Sequence, residues 1–370
     1  MKLLIITHVI HGKEKSYFGY SPYIREMNIW TKFAQQVVVV APFQALVKST
    51  IDLEYSHQNL IFRRVESINF QTFTNSFRSF LKLPKIFYMI CKEIESADHI
   101  HLRCPGNIGL LGCIAQIFFP SKKKSAKYAG NWDPKSKQPL SYKFQKWILS
   151  NTFLTKNMTV LVYGEWPNQT KNIKSFFTAS YFDADKLEIR TKSLQNEVQF
   201  LFIGSLSSGK RPLYAIKIVE ELQRRGKTVS LDIYGEGEQR IILEQYIETR
   251  NIPHIRLHGN QEEHIIRDVY KSAHFLILPS KSEGWPKVVA EAMFWKCLPI
   301  ASPVSCVPYM LDFGRRGILL EMQFEKDVAE ILKILDQQDE YVMRVNDGMI
   351  WSRKFTLDLL KDEVHEIVKG

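Results

Sequence analysis

Short apolar runs alternate with amphipathic segments along all 370 residues, and this alternation restricts the fold more than any other feature. The first half contains the strand-like runs KLLIITHV, QVVVVAP, NLIFRRV, HIHLRC, SAKYAG and MTVLVYG. The second half starts the pattern again with VQFLFIGSL, VSLDIYGEG, IRLHG, HFLILPS, LPIASP and GILLE. Parallel strands need long connections, which are usually helices, so this pattern predicts an α/β protein with parallel sheets.

The restart of the pattern divides the chain in two, and its length agrees, because one core rarely organises more than about 250–300 residues. We expect an amino-terminal Rossmann-like domain over residues 1–190 and a second one over residues 191–340. The polar stretch Asp183–Glu197 is expected to be a linker, and the helical segment 341–370 to cross back to the first domain. Ligands of doubly wound sheets bind outside the carboxyl ends of the strands, so the site is expected in a cleft between the domains.

Positive charge is concentrated in the first half of the chain. The net charge is +11, and residues 1–194 hold 27 Lys and Arg against 13 Asp and Glu. This half either meets an anionic partner or is a solvated basic surface. The basic residues form no recognisable nucleic-acid module, so no nucleic acid is expected as a partner. Two basic and aromatic segments, Phe77–Ile90 and Ser121–Tyr128, are either helices at an anionic membrane surface or core helices with lysines facing water.

The cysteines and the apolar runs bear on the cellular location. The cysteines show no C-x-x-C pair, which argues against a zinc site or a disulfide framework; they are Cys91, Cys104, Cys113, Cys297 and Cys306. The longest apolar run, Ile108–Phe119, is shorter than the ~20 residues of a membrane-spanning helix. The first apolar run is interpreted as a strand and not as a signal peptide. We therefore expect a cytoplasmic protein, either free or peripheral on the inner face of the membrane.

The stretch SEGWPKVVAEAMF, Ser282–Phe294, places two acids around the start of a helix that follows the run HFLILPS. Pro286 suits the first position of a helix, which puts Glu283 in the loop before it and Glu291 about one and a half turns inside. A carboxylate among apolar residues needs hydrogen-bond partners, and ligand hydroxyls would provide them. The helix start favours an anion such as a diphosphate. The alternative is that Glu291 pairs with an arginine and Glu283 is an exposed loop residue.

The same stretch resembles the E-x7-E signature of retaining glycosyltransferases of the GT-B fold, specifically glycosyltransferase family 4. FIGSLSSGKRP, LDIYGEGEQR and IRLHGN resemble further blocks of that family in order and spacing, so the resemblance covers Val198 to Leu320. It implies two Rossmann-like doubly wound domains facing across a cleft. It also implies that the second domain binds a nucleotide sugar, and that no metal or other cofactor is needed.

The resemblance implies roles for individual residues of the second domain. Glu283 would contact hydroxyls of the donor sugar, Lys210 would neutralise the diphosphate, and Glu291 would bind the ribose hydroxyls. The compact ammonium of Lys210 suits the neutralisation of the diphosphate, because it offsets negative charge on the departing nucleotide. Backbone close to the donor is expected at Gly204, Gly235, Gly237, Gly284, Trp285, Pro286 and Lys287. Ser205 stands where relatives frequently carry an arginine, so one phosphate contact is missing unless Arg211 substitutes for it.

The first domain is expected to bind the acceptor. In HIHLRC, the resemblance aligns His101 with a histidine that approaches the reacting sugar, and Arg103 with a second histidine. Because arginine stays protonated, either His101 or the leaving diphosphate takes the acceptor's proton, the latter as in the front-face mechanism attributed to the family. The alternative for His101 is a core histidine. Asn131, Asp133 and Glu165 follow strand-like runs, where they either bind sugar hydroxyls or cap local turns.

The sequence therefore predicts a retaining hexosyltransferase that uses a UDP- or GDP-linked sugar and a glycan or lipid-linked glycan acceptor in polysaccharide or capsule assembly. A sugar-nucleotide epimerase, a phosphorylase and a non-catalytic GT-B scaffold that binds only sugar nucleotide or glycan remain as alternatives. Ser205 and Arg103 favour the scaffold, whereas Lys210 and the two glutamates oppose it. Asp183-Ala-Asp185 lies away from the predicted strand ends, so no metal site is expected.

Overall fold

The computed structural model describes residues 1–68 and 73–369, with the backbone alone for residues 73–80. The chain forms two compact units. Unit 1 comprises Met1–Phe177 together with the chain from Leu360 onward, and unit 2 comprises Thr178–Leu359. The division therefore lies at 177/178 rather than at the predicted 190/191. Of the predicted returning segment 341–370, the part before Leu360 belongs to unit 2.

Unit 1 is built around a parallel sheet. Its described strands are β1 Lys2–Ile6, β2 His11–Lys13, β3 Tyr17–Tyr20, β4 Gln36–Pro42, β5 Asp52–Glu54, β6 Leu60–Val65, β7 His99–Cys104, β8 Lys123–Tyr128, β9 Met158–Tyr163 and β10 Ile173–Phe176. Its first helices are α1 Ser21–Thr31, α2 Phe73–Glu95, α3 Asn107–Ala115 and α4 Leu140–Ser150. The parallel sheet has the order β10-β9-β8-β7-β1-β4-β6, and β2, β3 and β5 form a small antiparallel sheet. The strand order reverses between β1 and β7.

Unit 2 repeats this arrangement. Its described strands are β11 Val198–Ile203, β12 Val229–Tyr234, β13 Ile255–Gly259, β14 Phe275–Leu278, β15 Leu298–Ala301 and β16 Ile318–Leu319. The helices are α5 Pro212–Arg224, α6 Arg240–Thr249, α7 Glu263–Ser272, α8 Lys287–Phe294, α9 Val307–Met310, α10 Phe324–Leu335, α11 Gln338–Ser352 and α12 Leu357–Lys369, the last of which runs on into unit 1. The parallel sheet has the order β13-β12-β11-β14-β15-β16, which reverses between β11 and β14.

The apolar runs form strands because parallel sheets bury both faces. Residues 3–6 of β1 and residues 37–41 of β4 are completely buried, and neighbouring strands continue that core. In unit 2, β11 and β14 supply the centre of the core, where the rings of Phe200 and Phe275 stack with centroids 4.9 Å apart. The predicted α/β class and the parallel sheets are therefore confirmed.

The stretch Asp183–Glu197, predicted as a linker, packs on unit 2. The Leu194 N–H donates to Oε1 of Gln338 at 2.7 Å, and Nη2 of Arg353 donates to the Leu187 carbonyl at 2.6 Å. The polar residues of this stretch were taken as a sign of exposure, but main-chain groups of the stretch are hydrogen-bonded to α11 and to the residue that follows α11. This stretch therefore belongs to unit 2 and does not separate the two units.

The two basic and aromatic segments are not alike. Ser121–Tyr128 contains strand β8, in which residues 124–128 are buried, so its interpretation as a helix at a membrane surface is wrong. Phe77–Ile90 belongs to α2, but the side chains of residues 77–80 lie outside the described part. Across the residues that the structure describes, no helix is both long and apolar enough to span a membrane.

Candidate active site

Two loops of unit 2 meet at the point where its strand order reverses. One loop follows β11 and leads into α5, and the other follows β14 and leads into α8. The N–H of Lys281 in the second loop donates to the carbonyl of Gly209 in the first loop at 2.8 Å. Because open α/β sheets bind ligands at this reversal, the two loops form the candidate site.

The structure brings Lys210 and Glu283 together in these loops. Nζ of Lys210 lies 2.5 Å from Oε1 of Glu283, and the side chains are 28% and 9% exposed. An ammonium has three donors and a carboxylate about four acceptor positions, so each partner can also bind a ligand while paired. The pair therefore offers one positive and one negative group to a polar ligand.

Glu291 lies in the middle of α8, where hydroxyl groups hold its carboxylate. Oε1 accepts a hydrogen bond from the hydroxyl of Ser180, and Oε2 lies 3.2 Å from the hydroxyl of Tyr270. Burial and the nearby carboxylate raise the pKa of Tyr270 well above its usual value, so its hydroxyl stays protonated and can donate. Within the described residues, Glu291 thus has hydroxyl partners, and the alternative of an arginine partner is not observed.

The turn before α8 is anchored on its interior side. α8 begins at Lys287 with Pro286 as its N-cap, one residue later than predicted, a difference within the usual uncertainty of helix ends. The carbonyl of Gly284 accepts from Ser305 Oγ at 3.1 Å and lies 3.0 Å from Cys306 Sγ. The ring of Trp285 is buried, with its centroid 6.0 Å from the ring of Trp351 and 5.6 Å from that of Phe355.

Lys192, which the sequence placed in the linker, joins the carboxyl ends of α7 and α8. Its ammonium donates to the carbonyls of Tyr270 at 3.2 Å, Trp295 at 3.2 Å and Lys296 at 3.0 Å. A cation at this end of a helix opposes the partial negative charge of the helix dipole. Burial lowers the pKa of Lys192 to about 8. The residue therefore supports the two helices that carry Tyr270 and Glu291.

The glycines near the site serve different purposes. Gly235 has φ +139°, and a Cβ there would lie 1.9 Å from the carbonyl oxygen of Gly204. A Cβ at Gly237 would lie 2.5 Å from the carbonyl oxygen of Leu206. Packing between the loops after β11 and β12 thus accounts for both glycines. Gly204 has φ +151°, but a Cβ there would face open space, so of these three glycines Gly204 leaves room for a ligand near its Cα.

Ser205 and Arg211 were the uncertain phosphate contacts. Ser205 is exposed, and its Oγ lies 3.3 Å from Oγ of Ser207. Arg211 is the N-cap of α5 with φ +54°, and its Nη1 donates to the carbonyl of Pro279 at 3.4 Å. The guanidinium is thus directed to the end of β14, next to the loop that carries Glu283.

His101 lies inside unit 1. It is the third residue of β7 and completely buried; its Nδ1 is 2.9 Å from Ser125 Oγ, and its ring centroid is 4.0 Å from that of Trp30. Burial lowers the pKa of His101 well below its usual value, so the ring is neutral. A side chain without solvent access cannot reach an acceptor hydroxyl. The predicted role as a base is therefore not supported, and the structure places this residue in the core.

Arg103 belongs to a largely buried group of charges. Its Nη1 lies 3.5 Å from Oε1 of Glu26, while Nζ of Lys127 lies 2.8 Å from Oε2 of the same carboxylate. Lys127 is completely buried and also donates to the carbonyl of Phe177 at 3.1 Å. Pairing with Glu26 compensates the burial of these cations. This arrangement explains Arg103 by internal pairing and assigns it no ligand.

The other acceptor candidates lie in loops of unit 1. Oδ1 of Asn131 accepts from the Asp133 N–H at 2.9 Å, and Oδ1 of Asp133 accepts from the Lys135 N–H at 2.8 Å. Both side chains thus cap a local turn, which was the alternative weighed for them. Glu165 follows β9 and is exposed.

The Asp183-Ala-Asp185 segment forms a short 3₁₀ turn. Oδ1 of Asp185 lies 3.3 Å from Nη1 of Arg267, and Asp183 pairs with Lys186. In the described part of the chain, no cluster of three or more His, Cys, Asp or Glu side chains is arranged to hold a metal ion.

The part of the chain that contains this site matches the model of a known protein family. Residues 184–348 match the model of the family described as Glycosyl transferases group 1. The matched segment lies within unit 2 and includes Lys210, Glu283 and Glu291.

Two relatives share part of the sequence. Alpha-D-kanosaminyltransferase of Streptomyces kanamyceticus is 24% identical over 191 residues, which cover 50% of this chain and 50% of that protein. The GalNAc-alpha-(1->4)-GalNAc-alpha-(1->3)-diNAcBac-PP-undecaprenol alpha-1,4-N-acetyl-D-galactosaminyltransferase of Campylobacter jejuni is 24% identical over 196 residues, covering 52% of this chain and 53% of that protein. The chain thus spans about half the length of these relatives.

The fold is also found among solved structures. Anabaena Alr3699/HepE, solved in complex with UDP, superimposes with a TM-score of 0.72 over 100% of both chains at 12% sequence identity. At this identity the likeness concerns the fold alone. Such neighbours are GT-B glycosyltransferases, so the predicted GT-B fold with two Rossmann-like units is confirmed.

Proposed function

We propose that this protein is a retaining glycosyltransferase that moves a hexose-type sugar from a nucleotide diphosphate to a glycan or lipid-linked glycan. The observation that carries the proposal is the pairing of Lys210 with Glu283 where the strand order of unit 2 reverses. The family match over residues 184–348 supports the transfer of a sugar, and we extend the proposal to a role in polysaccharide or capsule assembly. The donor is UDP- or GDP-linked.

In the proposed reaction, the bond between the sugar's anomeric carbon and the diphosphate oxygen breaks, and the diphosphate leaves with the electron pair. The acceptor oxygen forms the new bond on the same face of the sugar, and its proton passes to the leaving phosphate oxygen. Lys210 offsets the developing negative charge. Glu283 holds sugar hydroxyls, and Glu291 holds the ribose. No protein base is required, which accommodates the burial of His101.

Calorimetric titration with UDP, GDP and ADP, and with their glucose conjugates, tests the donor site. One nucleotide is expected to bind, and Lys210→Gln and Glu291→Gln are expected to weaken its binding at least tenfold. Lys217→Gln is the matched control, because Lys217 lies in α5 with its ammonium 5.9 Å from the Tyr246 ring centroid, away from the two loops. Absence of binding, or equal binding by all variants, would contradict the proposal.

Retention is tested separately with a transferred sugar. The anomeric configuration of the product, measured by NMR, is expected to equal that of the donor, and an inverted product would contradict the retaining mechanism. A non-catalytic scaffold is the second candidate, and the exposed Ser205, which stands where the resemblance expects an arginine for the phosphate, favours it. Binding of a sugar nucleotide without transfer to any glycan would favour that candidate.

A further inference from the structure

Helix α4 of unit 1 exposes an apolar stripe to solvent. Leu140, Phe144 and Trp147 follow one another at the i, i+4 and i+7 positions, which share one face of a helix. Their exposed fractions are 83%, 45% and 57%. The rings of Phe144 and Trp147 stack with centroids 5.7 Å apart. The opposite side of the helix is buried in the core, so the α4 stripe of these three residues is not needed for packing of unit 1.

Lysines flank the α4 stripe. Residues 131–150 contain four lysines and a single acid, Asp133. Lys135 and Lys137 are exposed just before the helix, and Lys143 is exposed on the helix between Leu140 and Phe144. The carboxylate of Asp133 is engaged in its own turn, where it accepts from the Lys135 N–H at 2.8 Å. An occupant of this surface must therefore offer apolar contact and negative charge together.

We propose that the α4 stripe and its flanking lysines dock on a membrane surface that contains anionic lipid. Trp and Phe rings sit favourably at the boundary between headgroups and acyl chains, and lysines beside them attract anionic headgroups. A second copy of the chain fits less well, because a symmetric contact would bring the same lysines face to face. The proposal concerns unit 1 and does not depend on the proposed activity. Its surface differs from both segments that the sequence indicated.

Vesicle sedimentation of the 370-residue protein tests this docking. Vesicles contain either phosphatidylcholine alone or phosphatidylcholine mixed with phosphatidylglycerol. The protein is expected to bind the mixed vesicles and not the neutral ones, and its binding is expected to fall as salt screens the lysines. The combined variant Leu140→Ser, Phe144→Ser and Trp147→Ser is expected to bind at least tenfold more weakly. Lys135→Gln, Lys137→Gln and Lys143→Gln together are expected to reduce binding to the anionic vesicles.

The matched control is Ile241→Ser with Ile242→Ser, because these exposed apolar residues lie on α6 of unit 2. This control is expected to bind vesicles like the unaltered protein. Titration of every variant with UDP provides an independent measurement. The α4 variants are expected to give the same result as the unaltered protein, whether that result is binding of UDP or no binding. This separates a failure of docking from a failure of the proposed function.

Three outcomes would overturn the proposal. The first is absence of binding to the mixed vesicles, and the second is undiminished binding by the stripe variant. The third is that the protein binds a different partner through this surface instead of vesicles. The partner would be a second copy, seen as a dimer in sedimentation velocity, or a single-stranded oligonucleotide, and this binding would be lost in the stripe variant. Trp147→Phe adds a direct test: brominated lipid is expected to quench the unaltered protein more than this variant.

Discussion

Nζ of Lys210 lies 2.5 Å from Oε1 of Glu283, although 73 positions separate the two residues in the chain. Each group offsets the charge of the other while the site is empty. A nucleotide diphosphate would bring negative charge beside both groups, so one of them attracts it and the other repels it. The two substitutions are therefore expected to have opposite effects on a nucleotide without a sugar.

Glu283→Gln is expected to tighten binding of UDP, or of whichever nucleoside diphosphate binds, about fivefold, because it removes about 1 kcal/mol of repulsion at a partly exposed site. The same change should weaken binding of the sugar conjugate relative to the nucleotide, since an amide replaces the carboxylate that accepts from sugar hydroxyls. Calorimetric titration with both ligands gives the two dissociation constants, and their ratio is compared between Glu283→Gln and the unaltered protein. A loss of nucleotide affinity in Glu283→Gln would instead mean that the carboxylate only positions Lys210.

Gly204→Ala and Gly235→Ala form a matched pair, because both glycines have positive φ but differ in what a methyl group would meet. Gly235→Ala is expected to lower the free energy of unfolding by several kcal/mol, since its Cβ would overlap the Gly204 carbonyl. Gly204→Ala should cost about 1–2 kcal/mol from backbone strain alone. Urea denaturation gives both values. If the nucleotide passes close to Gly204, that milder variant should nevertheless bind it at least tenfold more weakly.

Tyr270→Phe removes a hydroxyl that holds Glu291, and hydrogen bonds to charged groups contribute about 1.5–3 kcal/mol. We expect the free energy of unfolding to decrease by an amount in this range. Nucleotide affinity should fall several-fold, because the carboxylate of Glu291 loses one of the hydrogen bonds that hold it in place. The control is Tyr246→Phe, whose hydroxyl donates to Glu220 at 2.8 Å on a more exposed surface. That variant should leave nucleotide affinity unchanged. Equal affinity in both variants would show that Tyr270 does not position Glu291 for binding.

Buried histidines of unit 1 are expected to make the protein sensitive to acid. Burial lowers the pKa of His11 and of His99 to about 4, and it lowers that of His101 well below its usual value. Between about pH 6.5 and 4 the unfolded chain therefore binds more protons than the folded one, so stability falls as pH decreases, by about 1.4 kcal/mol per pH unit for each histidine. Stability should be insensitive to these groups above pH ~7.

Urea denaturation across this pH range measures how steeply the free energy of unfolding changes with pH, which is the slope predicted above. His99→Gln is expected to reduce it, whatever the variant does to stability at neutral pH. His264→Gln serves as the comparison, because His264 is exposed in α7, and it should leave the slope unchanged. A slope that stays the same in His99→Gln would show that another group controls the response to acid.

The sequence predicted the core of the fold well because parallel strands bury both faces and so appear as uninterrupted apolar runs. QVVVVAP coincides with β4, and HIHLRC with β7. β2 and β5 were not predicted, since HGK and DLE are three-residue strands without a periodic pattern. The boundary at residue 177 was missed because polarity does not distinguish a free linker from a segment whose main chain is hydrogen-bonded to its neighbours.

The candidate site was predictable where a local motif carries it. Glu283, Glu291 and Lys210 lie in recognisable segments, and the structure pairs Glu283 with Lys210. Ser180 and Tyr270 lie 111 and 21 positions from Glu291, and neither stands in a distinctive pattern, so their contacts with it emerge only from tertiary packing. His101 illustrates the opposite error, since a motif position suggested reactivity while the strand buried the side chain.

The main-chain hydrogen bond from Lys281 to Gly209 joins the loops of Lys210 and Glu283 before any ligand arrives. Ordering a flexible loop costs about 1–2 kcal/mol of conformational entropy per residue, and here folding of unit 2 has already met that cost. A ligand would thus enter a preorganised site, and the free energy of its contacts would appear as affinity instead of being consumed by loop ordering. Selection among nucleotides would then rest on the fixed shape of these two loops.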